Sequence, residues 1–319
     1  MALLNPPNVL PEAMRFIARA VIATKGRASE AELLDMIAPA GMSEAMSDLH
    51  RSDPDGDEGP TGTQRGGGRT IAECSLTALR QLGLVQLSDG KVSLGAQISS
   101  DWRKPEDVTT SAFVGQLEAA VLSENGAEIA ADLLGTCAIL AVGGEPLRPF
   151  DGFDEGTATR RFVEHQQSVL GTEKQADWAV GNKERWLSFR RIGPYLGWVE
   201  PMDSGGRFGL VPNAAPALRR WLNTVEPGTY TGGEFLRLVS QHLPFLDGGD
   251  HAKVQIGGSG PLSGGLSLSL LSLEHTGVLS LRQEADSPAM FEAVLGSGHS
   301  KLFSQVQVVA SGEKKRKRS

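Results

Sequence analysis

Cysteine is almost missing from this chain, with two in 319 residues, Cys74 and Cys137, each inside an apolar stretch that reads as helix. Two isolated thiols build no disulfide framework and no C-x-x-C site, so we expect buried free thiols in a reducing compartment. Long apolar runs are missing too. The longest, Leu133 to Val142, is half of the roughly 20 residues a membrane-spanning helix needs. The opening segment MALLNPPNVLPEAMRFIARA has no basic leader, and Glu12, Arg15 and Arg19 interrupt its apolar residues, unlike a secretory signal. A cytoplasmic protein that does not touch membranes is therefore expected.

Signatures of catalysis are equally scarce. No G-x-x-x-x-G-K-[ST] occurs, which removes a P-loop, and the glycines of RGGGR and GGSGPLSGG follow no buried strand that would make a dinucleotide site. Ser259 in GGSGP fails the nucleophile elbow because Pro261 stands where its last glycine belongs. Asp53, Asp55 and Asp57 space like the start of a calcium loop, but Glu58 replaces its glycine and Gln64 its bidentate glutamate. The histidines His50, His165, His242, His251, His275 and His299 never pair at metal-ligand spacing. We expect His275 to be a partly buried residue at a helix end. No catalytic residue, metal or cofactor is expected, and the protein is read as not an enzyme.

What the chain does have is length enough for two or three domains and ordinary globular composition, 40% hydrophobic and 22% charged. Net charge is −7, yet the terminal GEKKRKRS holds five cations and one anion. Without that +4 tail the remainder is about −11 by the same count. Lys314, Lys315, Arg316, Lys317 and Arg318 are candidate phosphate contacts on a solvated extension.

Repetition carries the architecture. GRASEAELL (Gly26 to Leu34) and GTYTGGEFL (Gly228 to Leu236) share a pattern in which Ser29/Glu32 and Thr231/Glu234 are spaced as capping boxes. Each follows an amphipathic helix that opens on proline, PEAMRFIARAVIAT and PALRRWLNTV. Thr172/Gln175 is a third such pair, after the helical pattern TATRRFVEHQQSVL. Each set leads to an apolar helix, a glycine (Gly83, Gly197, Gly277) and a hairpin. The expected turns are Ser88 to Lys91, Ser204 to Arg207, and a longer one near Ala285 to Pro288.

Helix, capped helix, third helix and hairpin is the order of a winged helix-turn-helix. The expected fold is α+β, mainly α, with tandem winged units joined by helices. Unit one is 1–100 with a disordered insertion at 51–69. A helical connector covers 101–150, unit two 151–212, unit three 213–310 and the basic tail 311–319. DGGDHAKVQIGGSGPLSGG is read as unit three's counterpart of the insertion.

In winged helices that bind DNA, the third helix enters the major groove and the wing touches backbone. Unit two's third helix has the cations for that, Lys183, Arg185, Arg190 and Arg191 against Glu184, with Arg207 at the wing. Unit one offers only Arg80 and Lys91, and unit three's helix LSLSLLSLEHTG has no cation and one anion, Glu274. The favoured reading is double-stranded DNA binding through unit two, helped by unit one and the tail. The alternative is an adaptor in which winged units join protein subunits without reading DNA.

The stretch LLNPPNVLPEAMRFIARAV, with the capped helix and LRQLGLV after it, resembles the start of DpdG proteins over about 90 residues. That family is encoded in bacterial gene clusters that install 7-deazaguanine bases in DNA and restrict unmodified DNA. The resemblance implies a role in DNA recognition or assembly within a multiprotein antiphage defence system. It supplies no catalytic residue. The partners it implies are other proteins of that system, and a homodimer is among the assemblies considered.

Overall fold

Proline at the first helical position has its ring dihedral set for a helix and lacks only an N–H that would be unbonded there anyway. Pro11 accordingly opens α1 (Pro11–Ala23), which buries Met14, Ile17, Ala18 and Val21 along one face. The computed structural model describes residues 3–4, 8–39, 68–96, 98, 100–143, 145–150, 161–172, 174, 178–204, 207–296 and 299–309. They are about half helical with four small sheets, an α+β protein. The chain divides into two compact units, 1–130 and 131–319, at a boundary inside the segment expected to be a connector. The insertion up to residue 67, the run Asp53 to Asp57, and the tail cations lie outside the described residues.

In the first unit α2 (Glu30–Ile37) starts on the Ser29/Glu32 capping box, which forms with both reciprocal hydrogen bonds. Then come α3 (Gly68–Gln81) and the hairpin β1 (Val85–Ser88) and β2 (Lys91–Leu94). Gly83 takes a φ of +69° at the helix end, a conformation only glycine reaches without cost. The segment just before α2 joins the hairpin, with Ser29 bridging Lys91 and the Val92 N–H donating to the Ala28 carbonyl at 2.9 Å. Two further helices, α4 (Thr110–Leu122) and α5 (Glu124–Ile129), complete the unit. Arg15 of α1 reaches the Val108 carbonyl ahead of them at 3.3 Å.

The second unit begins with α6 (Ala131–Ala141), apolar around most of its circumference, with Cys137 buried in it. Burial pushes that thiol's pKa up. After α6 the chain pairs Phe150 with Leu210 through two backbone hydrogen bonds, 2.8 and 2.9 Å. Next come α7 (Arg161–Leu170), α8 (Lys183–Leu196) and the hairpin β3 (Glu200–Ser204) and β4 (Arg207–Val211). No helix stands between α7 and α8 among the described residues, and Gln175 of the expected Thr172/Gln175 box lies outside them. Fully buried Gln166 fixes that connection instead, donating to the Val180 carbonyl at 3.0 Å and accepting from the Val180 N–H at 3.2 Å. Phe162 sits against Trp186 with centroids 4.7 Å apart, which locks α7 onto α8.

The unit ends with α9 (Ala215–Leu222), β5 (Gly228–Thr231), α10 (Gly232–His242), β6 (Gly260–Pro261), α11 (Gly264–His275) and strands β7 (Leu279–Arg282), β8 (Phe291–Val294), β9 (Ser300–Phe303) and β10 (Gln305–Val308). The Thr231/Glu234 box forms as its spacing predicts. Two readings of this region are corrected. The turn near Ala285 to Pro288 does not close a simple hairpin, because β7 pairs with β10, in the order β5-β10-β7. Between them β8 and β9 form a second sheet with β6, in the order β6-β8-β9. Nor is the segment from Asp247 to Gly265 a loop without structure. Asp247 is buried and accepts from the Ser263 N–H and hydroxyl, and Gly260–Pro261 pairs in parallel with β8.

Candidate nucleic-acid interface

A helix followed by a hairpin can serve a groove only if its outward face is uncovered and carries cations. The three third helices differ sharply in this. In α3 the cations meet carboxylates of the same unit. Arg69 pairs with Asp35 and, at 3.2 Å, with Glu73, and Arg80 lies 3.8 Å from Glu30. Lys91 is exposed at the start of β2, on the hairpin side of the Ser29 bridge. Residues 1–130 hold 11 Lys and Arg against 18 Asp and Glu, a net −7, whereas 131–319 hold 20 of each. The whole negative charge of the chain therefore belongs to the first unit.

Helix α11 is covered. Gly264 to Leu270 are all buried, and its first turn meets α6 so closely that a Cβ on Gly265 would come within 2.8 Å of the Ala141 Cα. Its serines are consumed inside the unit. The Ser269 hydroxyl donates to the Gly265 carbonyl at 2.7 Å and accepts from the Ala214 N–H at 2.8 Å. Ser267 accepts from the Val294 N–H at 2.9 Å. Glu274, the anion that counted against groove reading by this helix, is held by Lys301 at 2.7 Å and accepts from the Leu281 N–H. His275 is exposed rather than partly buried.

Helix α8 has the required form. Asn182 caps it, its Oδ1 accepting from the Arg185 N–H at 2.9 Å, and Gly197 ends it at a φ of +69°. Trp186, Ser188, Phe189, Ile192 and Leu196 are buried on one side. At 100° per residue the opposite side carries Lys183, Leu187, Arg190, Arg191 and Pro194. Arg190 and Arg191 are exposed and straddle the line through Leu187 and Pro194, with Lys183 one turn nearer the N-terminus. Arg185 does not join them. Its position falls on the side of Trp186, Phe189 and Ile192, and its Nε is buried. Arg207 begins β4, opposite Ser204.

A cleft of about 770 Å³ lies elsewhere in this unit, lined by Glu200, Asn213, Arg219, Ser272, His275 and Leu268 among others. Its polar groups are tied to each other. Asn213 donates to Glu200 at 2.6 Å and Arg219 to Thr276 at 2.5 Å. Among the described residues no three His, Cys, Asp or Glu side chains converge as a metal would require. No helix there is long and apolar enough to cross a membrane.

These features define a multi-unit α+β protein in which, among the described residues, the cation-bearing helix α8 precedes a two-stranded hairpin. Residues 1–287 match the model of the DpdG-like family, and the chain belongs to that family. Membership suggests involvement in a 7-deazaguanine DNA modification system. No curated protein and no solved structure matches the chain. Sequence reasoning located α8 through its charge but missed α6 and Phe150 as parts of the same assembly. The signal for that pairing, a partner 60 positions away in β4, has no local signature.

Proposed function

We propose that the protein is a non-enzymatic DNA-binding component of a multiprotein bacterial DNA-modification and antiphage defence system, docking α8 into the major groove of duplex DNA. The observation that carries this reading is the exposed face of α8, where Lys183, Arg190 and Arg191 lie on the side away from the core and directly ahead of a hairpin. Three sets of helix, paired segment, helix, helix and hairpin support a tandem winged-helix reading. They are α1–Ser29–α2–α3–β1β2, α6–Phe150–α7–α8–β3β4, and α9–β5–α10–α11–β7β10. In each set the segment before the second helix bonds to the second hairpin strand, not the first. Arg207, at the start of β4, and the tail cations are the further phosphate contacts of this reading.

Assembly with other proteins of the system is the second reading, and for the first unit alone one observation favours it. A net −7 with the α3 cations paired internally repels phosphate and suits a basic protein surface.

Titrating duplex DNA at several salt concentrations tests the first reading. With about five phosphate contacts, log affinity falls against log salt with a slope near −4 to −5. Arg190→Ala with Arg191→Ala lowers affinity by about tenfold or more. Failure of the native chain to bind at low salt, or unchanged binding by the double variant, rules out α8 as the contact.

A further inference from the structure

We infer that the cleft beside α11 is a docking site for this chain's own C-terminal segment, with Lys315 on Glu200 and Glu313 on Arg219. The cleft, of about 770 Å³, lies wholly within the second unit, among the C-terminal half of α11, α9 and the start of β3. Leu268, Leu271 and Leu295 give it apolar walls. At its inner end the buried Asn213 amide donates to Glu200 Oε2 at 2.6 Å and to the Ser272 hydroxyl at 3.3 Å. That uses one oxygen of a half-buried carboxylate, which has no cation paired with it among the described residues. At the rim Arg219 is exposed, donates to the Thr276 hydroxyl at 2.5 Å and likewise pairs with no carboxylate among the described residues. The two hydroxyls, Ser272 and Thr276, stand one turn apart on α11, a rise of about 6 Å. The cleft thus has an anion inside and a cation at its mouth.

The occupant follows from where the chain continues. β10 ends beside the C-terminus of α11, and the Val309 N–H donates to the Val278 carbonyl at 3.1 Å, two residues past Thr276. The chain therefore enters its last ten residues, ASGEKKRKRS, close to the mouth of the cleft. Glu313 and Lys315 stand four and six residues past Val309, a reach of up to roughly 13 and 20 Å in extended chain. The one anion of the segment precedes its cations, as the guanidinium at the mouth precedes the carboxylate inside. Residues two apart in extended chain face the same way about 6.6 Å apart, which matches the rise between the two hydroxyls. Lys315 then lays its methylene stem along the leucines and donates to the other oxygen of Glu200, while Glu313 accepts from Arg219. A short tether makes such weak contacts effective, because it holds the segment at a millimolar effective concentration. The cations held this way are phosphate contacts of the DNA reading, so cleft and DNA compete for them.

The experiment uses the full chain. A water-soluble carbodiimide joins a lysine to a carboxylate already in contact with it, as an amide, and mass spectrometry locates the link. The expected result is a Glu200–Lys315 link within one chain, in excess over links from Lys315 to the exposed Glu226 and Glu284. Arg219→Gln or Glu313→Gln weakens that link by about two- to fivefold, the range of a partly exposed ion pair. Amine acylation is slower at Lys315 than at Lys317 by about the same two- to fivefold factor. Glu200→Gln, which keeps an acceptor for Asn213, makes the two lysines react equally. Links spread evenly over carboxylates, or equal acylation in the native chain, overturn the inference. A link that forms only between chains, seen by mixing isotope-labelled and unlabelled protein, assigns the cleft to a second copy's tail and overturns docking within the chain. Saturating duplex DNA lowers the link, and a link undiminished while DNA is bound overturns the competition. Where no duplex binds, the DNA reading falls and the docking is still decided by the link and the acylation rates.

Discussion

His242, at the end of α10, illustrates how one side chain ties stability to pH. Its ring stacks on Trp221 at 5.1 Å and 12°, and its Nε2 is buried with no hydrogen-bond partner among the described residues. Burial, with a smaller contribution from the Arg220 cation, lowers its pKa from 6.5 to about 4. The folded state holds the ring neutral while the unfolded chain takes up a proton near 6.5, so stability is complete above that pH and declines as pH falls toward about 4. His165 shifts in the same direction, through burial first, despite the bond from its Nε2 to the Ile139 carbonyl at 2.8 Å. His242→Phe, which keeps the stack and removes the titration, should flatten but not abolish the loss of thermal stability between pH 7 and 4.5. A slope identical to that of the native chain would show that the ring is not buried as described. The thiols follow the same logic, with burial raising both pKa values, and Cys137 should resist thiol reagents until the protein unfolds.

Among elements, α11 separates what a sequence pattern conveys from what packing makes of it. Its Leu-rich pattern reads as an apolar helix, with serines at 267, 269 and 272. Ser267 and Ser269 are buried, and their hydroxyls satisfy backbone groups that the close packing would otherwise strand. Ser269→Ala leaves the Ala214 N–H buried without its acceptor, at a cost of about 1–3 kcal/mol. A denaturant midpoint that moves by less than about 0.5 kcal/mol equivalent would mean the hydroxyl is dispensable. By contrast, the capping boxes at Ser29/Glu32 and Thr231/Glu234 were legible because cap and partner stand three residues apart. The glycines at 83, 197 and 277 were legible for the same reason. All three take φ values between +67° and +69° at helix ends, set by the adjoining turn alone.

At the level of the whole molecule, charge is divided between units. The first unit is net −7 and the second neutral, while the exposed cations of α8 belong to the second. Removing the cations Arg80 and Lys91 from the first unit should therefore change DNA affinity by about twofold or less, against tenfold or more for Arg190 and Arg191. Equal losses would assign the first unit an equal share of the interface. The helices and hairpins up to β2, the hairpin after α8 and the charge of α8 were legible in the chain, whereas the helix expected after Thr172 and the simple hairpin expected after α11 were not there to be read among the described residues. The direction Arg185 points was not legible either, since its place in the first turn is settled by which side of α8 the core covers.

By itself the sequence determined the capped starts of α2 and α10, the left-handed helix ends, the hairpins after α3 and α8 and the unequal charge of the third helices. Each is fixed by residues within a few positions of one another. Tertiary structure alone decided that Phe150 pairs with β4, that β7 joins β10 across an inserted sheet, and that α11 is enclosed while α8 stays open. Those outcomes depend on contacts between residues tens of positions apart, where the gain comes from burying whole faces and satisfying their backbone groups, and no short stretch of sequence records it.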